Sequence, residues 1–527
     1  MRRRHALPDY PPTPEQQDAI DAFRTGRTVV IKAGAGTGKT TTLSMCARTS
    51  DWTGTYLAFN KAIAMDAGQA MPMTVKARTV HSIAASAVSR MRGGSTLLDR
   101  LNGYRIDPWR LARKMGLGPL LVSVDIGGRR KEKVLQPGYL AGHVMRATAR
   151  FCQSADDEPG VQHFPLIDGI DSIDENGRID PRNNRAVARE LLGALQDAWA
   201  DLTNPAGDLR FSHDVYLKLA QLEGVEMPGR FLLYDEAQDA NPVILAWLDA
   251  QRQKHGKQVV YVGDGFQQIY DWRGAVDALD RIAETGAEVT YLTQSWRFGQ
   301  RIADAANLVL AQLGAEFQLT GNPAMDSRLA VSPGGPTPRA VLCRTNAAAV
   351  ETVLNLQSKG LQPHLVGGAD EIVSFAHGAA KLQSGEKSSH YELACFESWN
   401  EVLDYVANDP QGDELRMMVN LLEEYGIQIV LDALDGLIAE AEADVIVSTA
   451  HKAKGREWPI VRLAGDFGND EEGSASAMAP PELRLLYVAA TRARDVLDLS
   501  RCRPLLDLIC PPNDLTESGL ATLWANS

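Results

Sequence analysis

Residues 28–48 constrain the fold more than any other stretch of the chain. Thr28–Ile31 (TVVI) is a β-branched apolar run, as a strand buried on both faces should be. It empties into Ala33-Gly34-Ala35-Gly36-Thr37-Gly38-Lys39-Thr40, and a helical pattern follows through Arg48. A strand, a glycine-rich turn and a helix make a phosphate cradle. The glycines turn backbone N–H groups inward, and the helix N-terminus adds partial positive charge. Gly34, Gly36, Thr37 and Gly38 then line the cradle. Lys39 reaches the β- and γ-phosphates, and the Thr40 hydroxyl holds Mg²⁺. The signature departs from its usual form at Ala33, where a glycine is expected. Such a loop by itself says only that a nucleoside triphosphate binds, because kinases, transporters, GTPases and motors all use one.

A second buried-strand run, Phe231–Tyr234, ends at Asp235-Glu236-Ala237-Gln238-Asp239. A carboxylate at a strand's C-terminal end is where Mg²⁺ beside a nucleotide needs a ligand. Asp235 is expected to hold the metal, and Glu236 to orient and deprotonate the attacking water. A third run, Val259–Val262, leads into Gly263-Asp264-Gly265-Phe266-Gln267, with Tyr270 and Trp272 a few residues on. Gln267, just past the strand end, can sense the γ-phosphate. The two aromatics can stack bases of a single strand; taken alone, either reads as readily as a core residue.

With 527 residues, the chain has room for three or four domains. No apolar run reaches the roughly 18 residues of a membrane span. Arg2–Arg4 are followed by Pro8, Pro11, Pro12 and Pro14 rather than an apolar stretch, so no secretory signal is expected. The six cysteines are scattered with no CxxC, which predicts reduced thiols and neither a zinc site nor a disulfide framework. Lys and Arg total 54 against 67 Asp and Glu, a net charge of −13. A protein that coats nucleic acid through bulk charge is usually basic, so any grip here has to be local. Arg90–Arg150 holds 13 basic and 4 acidic residues, a net +9. Its densest cluster, Arg129-Arg130-Lys131-Glu132-Lys133, follows Gly127-Gly128 as at a turn or hairpin tip. It reads as a phosphate grip, or as a solvated basic face. Phe151–Arg210 is net −7 and helical around Arg185–Leu202. Glu401–Glu442 has one basic residue and 11 acidic ones, with helical apolar spacing over Leu421–Leu437. Such an acidic module should not clamp duplex DNA; it reads as a structural cap, or as a regulatory or protein-binding element.

The ordered motifs resemble those of the superfamily 1A helicases of the UvrD/Rep/PcrA type. Thr13-Pro14-Glu15-Gln16-Gln17 looks like a Q-motif, which by that likeness gives Gln16 the adenine. DEAQD at Asp235–Asp239 and GDGFQQIYDWRGA at Gly263–Ala275 look like motifs II and III. Gln294-Ser295-Trp296-Arg297 resembles motif IV, with Trp296 as the base-stacking aromatic and Arg297 as the γ-phosphate arginine. Thr449–Trp458 resembles motif V, which places Gly455 and Glu457 with the nucleotide. Leu486–Ala493 resembles motif VI, making Arg492 a second arginine finger. Within that group the chain looks most like the F-box DNA helicase subgroup, through Ala58-Phe59-Asn60-Lys61, His213–Lys218 and Tyr291–Gly299. Met1–Tyr10 is too short for an F-box, so no ubiquitin-ligase function is expected. About 35 residues after Arg492 are too few for a nuclease domain. Three positions depart from the pattern: Thr41, in the nucleotide set, where many relatives carry arginine; Gly265, where the second acid is missing; and Leu483, where arginine is common.

The resemblance implies an α/β fold with two RecA-like P-loop motor domains, each a parallel sheet with helices on both faces. Residues 1–90 and 211–289 form the first, and residues 290–375 and 443–527 the second. Residues 91–210 are a larger insert in the first, with a basic first half. Residues 376–442 are a short acidic helical insert in the second, where relatives carry a bigger subdomain. ATP with Mg²⁺ would sit between the motor domains, with Arg297 and Arg492 reaching it from the second. Expected contacts to DNA are Phe59, Asn60, Lys61, Thr79, His81, Arg129, Arg130, Lys131, Tyr270, Trp272, Arg344, Asn346 and His451. The implied activity is an ATP-dependent helicase or translocase on single-stranded DNA and single-strand/duplex junctions, of 3′→5′ polarity, in replication, repair or recombination. The alternative is a translocase that mainly strips bound proteins such as recombinase filaments. A nucleotide-gated binding module that needs no hydrolysis is disfavoured by the full set of Lys39, Glu236, Gln267, Arg297 and Arg492. The likeness further implies a monomer, cytoplasmic and nucleoid-associated in a bacterium or phage-infected host. It implies no membrane partner, and the 401–442 segment is where a protein partner would bind.

Overall fold

The computed structural model describes residues 11–58, 60–91, 93–102, 108–126, 129–167, 170–173, 179–269, 278–332, 334–388, 390, 392–393, 396, 398–408, 413–468 and 478–509. Side chains of 102, 108, 124–126, 129–131, 172–173, 179–180, 404, 407–408 and 413–414 fall outside this description. The chain forms two compact units. The first comprises Met1–Lys32, Thr40–Gly263 and Tyr270–Thr290; the second comprises Ala33–Lys39, Asp264–Ile269 and Tyr291–Ser527.

In chain order the first of the sixteen described strands are β1 (Val29–Ala33), β2 (Gly54–Ala58) and β3 (Val75–Thr79). Two short antiparallel pairs follow, β4 (Leu120–Ile126) with β5 (Arg129–Leu135), and β6 (Ser172–Ile173) with β7 (Ile179–Asp180). Next come β8 (Phe231–Tyr234), β9 (Gln258–Gly263) and β10 (Glu288–Leu292). The first unit's sheet runs β10-β1-β9-β8-β2-β3. From β1 to β3 its neighbours pair in parallel. β2 and β8 are buried at every position, because a parallel sheet carries helices on both faces. The helix Pro14–Arg24 opens the unit with a reciprocal cap: Thr13 Oγ1 accepts from Gln16 N, and Gln16 Oε1 accepts from Thr13 N.

The basic-then-acidic insert shares this unit's core rather than forming one of its own. Val144, Phe151, Leu195 and Leu202 belong to the same apolar cluster as Val30, Leu217 and Leu232. Phe151 is the joint. Its ring meets Trp199 edge-on at 5.0 Å and His163 at 5.2 Å, and the Lys218 ammonium lies 4.8 Å from its centre. Lys218 is fully buried; it donates to Ser154 O, Asp156 O and Gln221 Oε1. The helix expected around Arg185–Leu202 is two helices, Arg182–Glu190 and Leu192–Thr203, meeting at the fully buried Leu191.

The second unit's strands are β11 (Arg328–Ala330), β12 (Ala340–Cys343), β13 (Pro363–Leu365), β14 (Val445–Thr449), β15 (Trp458–Leu463) and β16 (Ala493–Asp498). They pair in parallel in the order β11-β16-β15-β12-β14-β13. The fold is thus α/β, with two parallel-stranded sheets flanked by helices, as two RecA-like domains require. The acidic segment packs Trp399, Val402, Val419, Leu422 and Val430 into one cluster with Val341 and Val447 of the sheet. The single helix expected over Leu421–Leu437 is broken. Asp413–Tyr425 ends at Gly426, whose φ of +81° is left-handed, and Ile427–Asp435 resumes. No helix among the described residues is long and apolar enough to cross a membrane.

If Phe151 joins the insert to the motor core, Phe151→Ala should cost about 3–5 kcal/mol in chemical denaturation. A loss below about 1 kcal/mol would contradict a shared core.

Candidate nucleotide and nucleic-acid site

In the first unit, the site residues gather at the C-terminal ends of the strands. Asp235 follows β8 and donates its backbone N–H to Leu57 O at 3.1 Å. Its Oδ2 accepts from the Thr40 hydroxyl at 3.0 Å and from the Tyr56 hydroxyl at 2.5 Å, and its Oδ1 from Glu236 N at 2.9 Å. Burial, then the Asp235 charge, pushes the Tyr56 hydroxyl far above its ordinary range, so it stays a donor. Thr40 and Asp235 present two oxygen donors side by side, the ligand chemistry Mg²⁺ takes. Glu236 stands at φ +55°, in the left-handed region that non-glycine residues seldom occupy. Gln238, 1% exposed, donates to Glu236 Oε2 at 2.6 Å and holds the carboxylate in that geometry. Gln16 is buried and bonded to Thr42 Oγ1 at 3.3 Å through its amide.

In the second unit, the loops 33–39 and 264–269 lie among the residues of the C-terminal motifs. Tyr487 OH accepts from Ala35 N at 3.2 Å and donates to Asp264 Oδ2 at 3.1 Å. The same carboxylate accepts from Gln267 Nε2 at 2.7 Å and Phe266 N at 3.1 Å. Burial raises the Asp264 carboxyl above its ordinary range, while the charge of Lys39 and these donors pull it back. Gln267 is bonded twice more, by Arg492 Nη2 at its side-chain oxygen (3.0 Å) and by Lys454 Nζ at its carbonyl (2.6 Å). Arg492 is 1% exposed. Arg297 donates to Glu457 Oε2 at 2.7 Å and Thr491 O at 2.9 Å. Trp296 donates its backbone N–H to Gly36 O at 2.8 Å and keeps its ring exposed. Gly36 has φ +73°, and a Cβ there would come within 2.7 Å of Arg297 Cβ and Ser295 Oγ. Gly455 has φ +80°.

Gln238, Asp264 and Tyr487 lie inside the motif strings, where no neighbouring residue shows a role for them. Each earns one only through a partner that no local pattern displays.

The expected nucleic-acid contacts divide by what their side chains already do. Asn60 and Thr79 cap helices, accepting from Ile63 N at 2.9 Å and Ser82 N at 3.1 Å. Lys61 is exposed at the start of its helix. His81 is half-exposed and 3.9 Å from Asp214. The Arg344 guanidinium is held bidentately by Glu482, both bonds at 2.6 Å, so its charge is already answered. Asn346 is the first residue of the helix Asn346–Ser358. His451 is half-buried, and burial followed by the Arg344 charge lowers its imidazole below the usual range. Phe59, Tyr270 and Trp272 lie outside the described residues, as do the side chains of Arg129, Arg130 and Lys131, although Arg129–Leu135 is a strand.

Comparison with known proteins gives two family matches. The AAA domain profile matches residues 16–273, and the UvrD-like helicase C-terminal domain profile matches residues 444–499. F-box DNA helicase protein 1 of Schizosaccharomyces pombe is 27% identical over 534 residues, covering 93% of this chain and 57% of that protein. F-box DNA helicase 1 of Gallus gallus is 28% identical over 529 residues, covering 93% and 49%. DNA helicase II of Escherichia coli is 40% identical over 82 residues, covering 15% and 11%. The chain spans about half the length of the two F-box helicases it matches. A solved structure of a PRRSV helicase aligns at a TM-score of 0.25 and 15% identity, over 52% of this chain and 36% of that one.

Removing the Tyr487 hydroxyl tests the Asp264 network. A buried carboxyl whose pKa is raised by folding loses stability as pH climbs from the unfolded value through the folded one. Tyr487→Phe takes away a donor to the ionised form, so its deficit should be about 1–3 kcal/mol at pH 8 and smaller at pH 5. Melting curves showing the same deficit at both pH values would contradict this.

Proposed function

The chain belongs to the UvrD-like superfamily 1 helicases, and from that premise we propose that it is an ATP-dependent helicase and translocase on single-stranded DNA, moving 3′→5′. The observation that carries the reading is Asp235 beside Thr40 with Glu236 strained and clamped next to it. Two adjacent acids in different environments serve hydrolysis, one for the metal and one for water. Lys39 and the backbone of Gly34–Gly38 bind the phosphates, and Thr40 and Asp235 hold Mg²⁺. The ion supplies charge neutralisation on the phosphate oxygens when bound. Glu236 takes the proton of the attacking water, and Gln238 keeps its carboxylate aimed. Gln267 reads the γ-phosphate state. Arg297 and Arg492 supply positive charge to the transferring group, as arginine fingers acting in cis do. Gln16, Trp296, Gly455 and Glu457 hold the base and sugar. DNA as the substrate and the polarity are supported by the helicase relatives and the motif likeness. Asn60, Lys61, Thr79, His81, Asn346 and His451, with Phe59, Tyr270 and Trp272, are the proposed strand contacts.

Lys39→Ala and Glu236→Gln should each lower DNA-stimulated ATP turnover by at least about 10²-fold. Retained turnover in either variant would sink the assignment.

A second reading, clearance of DNA-bound protein with weak unwinding, is favoured by the acidic segment. Its helices are packed into the second unit's own core, where UvrD/Rep-type relatives carry a larger subdomain. Strand displacement measured beside filament clearance separates the two readings. Efficient displacement of a bare duplex rules out the second.

A further inference from the structure

The first unit carries a cleft of about 520 Å³ that the ATP chemistry does not use. Thr53, Arg230 and Lys257, which line it, directly precede β2, β8 and β9. The cleft therefore opens where these strands begin, while Asp235 lies past the end of β8. The four residues of β8, five residue steps in all, separate Arg230 from Asp235 by about 16 Å. Arg78 of the edge strand β3 and Arg90 beyond the helix Val80–Val88 complete its basic lining.

The charges in this cleft do not cancel. Lys257 donates to Glu226 Oε1 at 2.8 Å and to Gly229 O at 2.6 Å, so the cleft's one lining carboxylate is already taken. Arg78 is oriented by neutral acceptors, Ser86 Oγ at 3.0 Å and Ser82 O at 3.4 Å. Arg230 lies over the ring of Trp52, 4.4 Å from its centre. Among the described residues, none of the three arginines has a carboxylate within ion-pair distance. Three like charges around one concavity repel one another, in a chain whose net charge is −13. An anion in the cleft relieves that repulsion. The guanidinium fork matches the oxygens of phosphate and of carboxylate two at a time, so the second feature of the cleft decides between them. Trp52, next in sequence to the lining Thr53, is 59% exposed and stands against Arg230, an aromatic surface within reach of solvent. Phosphate-binding arginines beside an open aromatic platform suit a nucleotide unit.

We propose that this cleft is a second single-stranded DNA site, in which Arg78, Arg90 and Arg230 hold backbone phosphate and Trp52 stacks a base. It rests on the proposed DNA substrate but not on the ATP chemistry. A strand held here would be anchored away from the moving motor site.

The test uses the full chain and fluorescein-labelled oligo(dT) of 30 nucleotides, with anisotropy titrations at several salt concentrations. Arg90→Glu with Arg230→Glu should weaken binding at least about tenfold and flatten the log–log salt slope by about 1.4, at 0.7 per single-strand phosphate. Trp52→Ala changes an exposed residue. It should weaken binding about fivefold or more with the slope unchanged. ATP turnover at saturating DNA should match wild type in both variants. Wild-type affinity and slope in the double variant overturn the inference alone. No oligonucleotide binding by wild type overturns it together with the DNA reading. Displacement of the oligonucleotide from wild type, but not from the double variant, by poly-glutamate of equal charge would assign the cleft to acidic protein instead.

Discussion

A carboxylate placed out of reach of water has to be answered by its neighbours, and Asp264 is such a carboxylate. Gln267 Nε2, Phe266 N and the Tyr487 hydroxyl donate to it, and the Lys39 charge offsets part of its burial cost. Tyr487 in turn accepts from Ala35 N, and Gln267 accepts from Arg492. One buried acid thereby fixes the phosphate loop, the glutamine that is proposed to read the γ-phosphate, and the arginine that is proposed to stabilise transfer. Low local dielectric makes every bond of such a network strong and every missing one expensive. The proposed γ-phosphate sensor and the second arginine finger are therefore placed through this acid.

The parts of this arrangement that are local in sequence were legible there. Strand, glycine turn and helix at 28–48 are consecutive, and so are the buried run Phe231–Tyr234 and the acids behind it. Their burial and spacing announce the elements because each depends on neighbours within a few positions. The network itself was not legible. Tyr487 and Asp264 are 223 positions apart, and Arg492 and Gln267 are 225 apart. Arg344 illustrates the same limit from the other side. It stands among the expected strand contacts, yet Glu482, 138 positions on, holds its guanidinium. Helix interruptions at Leu191 and Gly426 were hidden beneath apolar spacing that carries through both breaks.

Charge shows how far an average can mislead. The net −13 argues against a nucleic-acid partner only if charge is spread evenly. The acidic Glu401–Glu442 stretch is folded into the second unit's core through its apolar faces. Positive charge instead collects in Arg90–Arg150 and in the cleft of Arg78, Arg90 and Arg230. That cleft is lined from four stretches, at 53, 78–90, 226–230 and 257, so no window of sequence reveals it.

The central proposal is that ATP hydrolysis at Lys39, Asp235 and Glu236 drives 3′→5′ separation of DNA strands. Its most direct test is strand displacement from duplexes bearing a 3′ or a 5′ single-stranded tail, with ATP and with a non-hydrolysable analogue. The account predicts displacement of the 3′-tailed duplex with ATP alone. Displacement from neither tail, or equal displacement with the analogue, would contradict it.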